Sequence, residues 1–186
     1  MSQTPIFTRA GGTLLEHLRS ELVPVVLGAP DMIQLAYPGW EEEFRLGLFL
    51  YGTEEVRPNG PPGMTRLGPD SRRMPDLALA LHFMAFANRK VSFRGMSMED
   101  EFTLVEGVMR AVHGSGGLNV DGRRVNLEFH DLTQSEKVSL WQSLNAPLQP
   151  AAYLTLEPIL LPSDRIRKVP PVRAVDIHTS RKGGGA

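Results

Sequence analysis

The chain has 186 residues, and its 20 Lys and Arg against 21 Asp and Glu leave a formal net charge of −1. That balance excludes a protein built to coat nucleic acid or an acidic membrane, and 41% hydrophobic with 22% charged residues exclude wholesale disorder. Zero cysteines remove disulfides, zinc–thiolate sites, iron–sulfur clusters and thiol nucleophiles, and no apolar run approaches the roughly 18 residues of a membrane span.

In chain order, Met1–Pro5 lacks the basic start and apolar stretch of a secretory signal, so cytoplasmic synthesis is expected. Leu14, Leu18 and Leu22 recur at four-residue spacing and predict a helix over Thr13–Val23, with Thr13 and Glu16 as a capping box and Pro24 as its stop. Met32–Tyr37 reads as a short strand. Phe44–Tyr51 is a stronger one, with Phe44, Leu46, Leu48 and Leu50 on one face and Phe49 and Tyr51 making the other partly apolar. Such a strand belongs inside a sheet.

From Glu54 to Pro75 five prolines alternate with Gly60, Gly63 and Gly68, a density of breakers that leaves no helix or central strand. With Arg57, Arg66, Arg72 and Arg73, the stretch is expected to be a flexible, somewhat basic projection. Leu77–Phe86 alternates strictly at a period of two and predicts a strand. Ser97–Asp100 opens a helix whose main apolar stripe is Phe102, Val105, Met109 and Val112, extended by Leu104, Val108 and Ala111. Acids at its start, Arg110 and His113 at its end, and the following Gly114 suit the helix dipole and a C-cap.

After the turn Gly114–Gly117, Val125–His130 alternates as a strand. Thr133 and Glu136 form a capping box for a short helix carrying Val138, Leu140, Trp141 and Leu144, closed by Pro147. A long strand follows from Ala152 through Leu161. A weak strand at Val172–Ile177 lies in the polar, basic tail.

Motif chemistry points nowhere. His82, His113 and His130 stand in no ligand spacing. Gly114–Gly117 follows a helix and precedes a strand, the reverse of a phosphate-binding loop. A Gly-x-Ser-x-Gly nucleophile elbow is missing, and Glu41–Glu43 reads as a solvated charge run.

Three stretches in order carry a resemblance. They are Leu46–Tyr51 with the Pro/Asn/Gly-rich loop Arg57–Pro62, then Leu77–Phe83 leading to Glu101–His113. The last is Leu127–Phe129 through Thr133, Leu140–Pro147 and Ala152–Ile159. Together these resemble the cap, or tube-terminator, proteins of extracellular contractile injection systems of the antifeeding-prophage and virulence-cassette type. The resemblance covers roughly residues 12 to 178. The sequence departs from the family's Ser-x-x-Tyr pattern at Pro150-Ala151-Ala152-Tyr153 and carries a longer loop before Leu77.

The resemblance implies an α/β (α+β) fold in one domain, a mixed, largely antiparallel sheet packed by about three helices. It implies a homohexameric ring at the baseplate-distal end of the inner tube and sheath, with tube and sheath proteins as partners. No catalysis, cofactor, nucleic acid or membrane is implied, and the particle would assemble in the bacterial cytoplasm. The expected division is a terminator-like domain over 12–162 and a C-terminal arm with a loose tail over 163–186.

The Pro170-Pro171 hinge before Val172, Arg173, Val175 and Ile177 makes that segment either a partner-binding arm or an edge strand of its own domain. Two other functions stay open from the residues alone. One is a small soluble hydrolase with a metal held by His82, His113 and His130; the other is an adaptor binding a peptide at the sheet edge.

Overall fold

The Leu-rich helix starts well before its leucine repeat. In the computed structural model, which describes residues 4–56, 63–68, 71–90 and 95–168, helix α1 spans Ile6–Leu22. Pro5 takes the N-cap position, and Ala10 and Gly11 extend the buried face of Leu14, Leu18 and Leu22 toward the N-terminus. Thr13 is therefore mid-helix. Its Oγ1 donates to the Arg9 carbonyl at 3.0 Å, so the capping box expected with Glu16 does not form.

The other two capping boxes are present. Helix α2 spans Met98–Gly114, with Asp100 N–H donating to Ser97 Oγ and Ser97 N–H to Asp100 Oδ2, both at 3.1 Å. Helix α3 spans Gln134–Ser143, where Thr133 and Glu136 exchange the same pair of bonds at 2.8 and 3.3 Å. Each box satisfies donors that a helix start leaves without partners.

The strands are β1 (Ile33–Leu35), β2 (Leu46–Glu55), β3 (Thr65–Arg66), β4 (Ser71–Arg73), β5 (Leu77–Ala87), β6 (Leu118–Val120), β7 (Arg123–Phe129), β8 (Ala151–Leu161) and β9 (Ile166–Lys168). Six form one sheet in the order β1-β2-β5-β8-β7-β6. Only β1 and β2 run parallel; the remaining pairs are antiparallel. The α+β reading of the sequence holds. Strand β2 lies between β1 and β5, and is interior where β1 pairs with Leu46–Leu48. Strand β6 is an addition to the sequence reading: Asp121 (φ 54) and Gly122 (φ 78) form the two-residue turn that joins it to β7.

Each face of this sheet builds a core. Leu46, Leu48, Leu81, Phe83, Ala85, Leu154 and Leu156 meet α1 and α2 on one side. Met84, Phe86 and Tyr153 meet Trp141 of α3 on the other. Helix α1 touches both edge strands, β1 and β6, so the sheet curls around it. Arg9 of α1 reinforces that closure through an ion pair with Asp121 at 2.9 Å.

Two expected faces are corrected. Phe44 does not side with Leu46 and Leu48. It precedes the strand and packs edge-on against Phe86 in the second core, with ring centroids 6.3 Å apart. The space is made by Gly47, where an added Cβ would lie 2.7 Å from Phe86 Cε1 and 2.9 Å from Phe44 Cε2.

On α2 the buried stripe is Leu104, Val108, Ala111 and Val112, whereas Phe102 and Met109 are 53% and 47% exposed. The reason is close helix packing. At Gly107 an added Cβ would lie 2.8 Å from Leu22 Cδ2 of α1, so α2 turns its small-residue side inward.

Strands β3, β4 and β9 make a separate three-stranded unit, which the chain enters again after Leu161. The stretch expected as a bare projection thus contains two short strands. Ser71 and Arg73 of β4 register with Lys168 and Ile166 of β9. Asp76 receives Ser163 N–H at 3.4 Å and pairs with Arg73 at 3.5 Å.

Candidate interaction surfaces

The sheet has a notch at its β1 edge. Strand β1 is short and pairs only with Leu46, Gly47 and Leu48, after which Ala36 N–H makes one last bond to the Leu48 carbonyl at 2.9 Å. Beyond that point β2 runs on to Glu55 with β5 on one side and, among the described residues, no strand on the other. An apolar groove of about 360 Å³ opens at this notch, floored by Leu48, Leu50 and Phe83 and walled by Phe7, Tyr37 and Trp40. Tyr37 and Phe49 pack edge to face at 5.0 Å, which holds the wall in place. Leu35, Tyr37 and Trp40 remain substantially exposed.

A second apolar surface is the outer stripe of α2. Met98, Phe102 and Met109 are exposed there, although the sequence reading gave Phe102 and Met109 to the core. Large apolar side chains grouped on a surface mark contact sites, unlike scattered single ones.

The third feature is polar. Where α3 leaves the second face of the sheet uncovered, Tyr51 of β2, His82 of β5, Thr155 of β8 and His130 just after β7 converge. The imidazoles of His82 and His130 stack at 4.1 Å. His82 Nδ1 bonds Thr155 Oγ1 at 3.0 Å, and the Tyr51 hydroxyl bonds His130 Nδ1 at 2.6 Å.

Burial, and then the neighbouring His130, lower the His82 pKa below its ordinary 6.5, against a smaller opposing pull from Glu54 at 3.8 Å. Burial also drives the Tyr51 pKa far above its usual range, helped by Tyr153 and Glu136, so the phenol stays protonated. His113 does not join this group; it is exposed on α2, which packs on the opposite face of the sheet. Among the described residues no three His, Asp or Glu side chains are grouped to hold a metal ion.

Glu101 is a buried carboxylate with a separate, structural role. Arg89 holds both of its oxygens, at 2.5 and 2.8 Å, and the Arg89 pKa is raised first by that hydrogen bonding. Glu41, Glu42 and Glu43 are exposed, as a solvated run should be. Gly116 (φ +57) and Gly117 (φ +104) form the turn before β6. Val172, Arg173, Val175 and Ile177 lie outside the described residues.

A curled mixed sheet with two helices on one face and one on the other is shared with solved terminators of contractile injection systems. The fold matches a PVC sheath/tube terminator of an extracellular contractile injection system in its extended state, at a TM-score of 0.64 and 12% identity. That match covers 100% of this chain and 67% of the other. It also matches the tube-terminating cap of the anti-feeding prophage, at a TM-score of 0.62 and 16% identity, over 95% of this chain and 62% of the other. The chain therefore spans about two thirds of the length of either. The chain belongs to the Pvc16 N-terminal domain family, whose model matches residues 12–174. No curated protein matches the sequence.

Proposed function

We propose that this chain is a structural terminator, a cap that assembles as a sixfold ring on the baseplate-distal end of the inner tube and sheath of a contractile injection particle. The observation that carries this reading is the match of all or nearly all of the chain to two terminator folds, joined to membership of the family. The surfaces support it. A closed ring needs two different complementary faces on each subunit, whereas a twofold dimer needs one self-complementary face. The notch at β2 and the outer stripe of α2 are two different apolar surfaces on separate elements.

The same reading makes the chain non-enzymatic, assembled in the bacterial cytoplasm with tube and sheath proteins as partners. The segment Val172–Ile177 acts as an arm that contacts a neighbouring subunit, set apart from the 12–162 domain. A His-based hydrolase is disfavoured by the separation of His113 from the stacked His82 and His130.

Light scattering on the purified chain, alone and with tube protein, tests the ring. Six copies of the 20.6 kDa chain are expected. A monomer that ignores tube protein contradicts the proposal.

A further inference from the structure

We infer that the open edge of β2 at Leu50–Glu55 is the acceptor for the C-terminal segment Val172–Ile177 of a second copy, which adds there as a strand. The inference deepens the ring reading above and rests on it. Strand β1 covers only the first three residues of β2, so the backbone from Leu50 onward has a hydrogen-bonding partner on the β5 side alone among the described residues. An uncovered edge of this length is a template for another strand. Leu50–Glu55 matches Val172–Ile177 in length, so each acceptor residue has an incoming partner.

Side-chain chemistry agrees with backbone pairing. The groove at the base of this edge is lined by Phe7, Tyr37, Trp40, Phe49 and Leu50, and the incoming segment carries Val172, Val175 and Ile177. Charge is complementary too. The acceptor edge ends in exposed Glu54 and Glu55, and Glu41–Glu43 follow Trp40 at the groove rim. Of that run only Glu41 has an ion-pair partner among the described residues, Lys90 at 3.3 Å. The segment from Val172 to the end of the chain brings Arg173, Arg181 and Lys182 against the single acid Asp176. Donor and acceptor are different parts of the chain, so successive copies can pass the strand head to tail, the heterologous arrangement from which rings are built.

Because the chain contains no cysteine, single-cysteine variants report the contact directly. Thr53 is exposed on the proposed acceptor edge, and Asn119 is exposed on β6 at the far edge of the sheet. Full-length Thr53→Cys is mixed with Ala174→Cys, oxidised mildly and compared with an Asn119→Cys plus Ala174→Cys mixture. The inference expects loss of monomer into a disulfide-linked dimer of unlike chains in the first mixture and only background linkage in the second. Equal linkage in both, or none in the first, overturns it.

A dilute Thr53→Cys/Ala174→Cys double variant that closes within one chain also overturns it, because the segment then serves its own sheet. Light scattering on the cysteine-free parent separates the two levels of the argument. A ring without the Thr53 linkage removes only this acceptor, whereas a persistent monomer removes the ring and the acceptor together.

Discussion

Trp141 is 1% exposed and donates its indole N–H to the Tyr153 hydroxyl at 2.9 Å, while its ring meets Phe86 edge-on at 6.3 Å. It is the one fully buried residue of α3 and the anchor of the second core. Trp141→Ala should cost about 3–5 kcal/mol, read as a shift in the urea midpoint. An unchanged midpoint would show that the second core does not depend on it.

His82 makes a prediction of a different kind. It is 8% exposed, and its pKa is lowered in the folded chain, chiefly by burial and then by His130. The unfolded chain therefore binds a proton at this site more readily than the folded one. The stability that follows is present above the unfolded value near 6.5 and is lost as the pH falls below it. Replacing His82 by Gln should flatten that part of the stability–pH curve. The same acid slope in wild type and variant would assign the effect to another group.

At the scale of elements, the capping boxes of α2 and α3 were legible from Ser97/Asp100 and Thr133/Glu136 alone, because the motif is local and its bonds depend only on residues three apart. Ser97→Ala should cost about 1 kcal/mol in chemical denaturation. The box expected at Thr13/Glu16 failed because Ile6 and Ala10 carry the helix through that point, two turns before the leucine repeat declares it. Strand β6 also had a readable signal, Asp121-Gly122, which favours the positive φ values of a tight hairpin.

Helix α2 could not be oriented in this way. It offers two apolar stripes at helical spacing, and burial went to the smaller one because α1 approaches closely at Gly107. That choice depends on a residue of another helix, which periodicity does not report. The convergence of Tyr51, His82 and His130 is hidden for the same reason; it arises from strand order and register. The outer stripe should behave as a contact surface. Phe102→Ser combined with Met109→Gln should leave monomer stability within roughly 0.5 kcal/mol and weaken self-association in sedimentation. Substantial unfolding of the double variant would return these residues to the core.

For the whole molecule, the fold gives a curled sheet held closed by α1, with both cores on one six-stranded sheet. This frame carries an interrupted edge at β2 and an exposed apolar face on α2. Among the described residues, the polar group that converges on the second face is a hydrogen-bonded His–Tyr–Thr cluster of Tyr51, His82, His130 and Thr155. The proposed arm adds a further dependence. Removing residues from Pro170 onward should leave thermal unfolding of the β1-β2-β5-β8-β7-β6 unit intact while disrupting assembly. Unfolding of the truncated chain would make the segment an internal strand.

The most direct measurement is electron microscopy of tubes grown from the cognate tube protein with and without this chain. The account predicts a sixfold ring seated at one end of each tube and a narrowed distribution of tube lengths. Tubes of unchanged length with bare ends, at concentrations where the chain is folded and in excess, would contradict it.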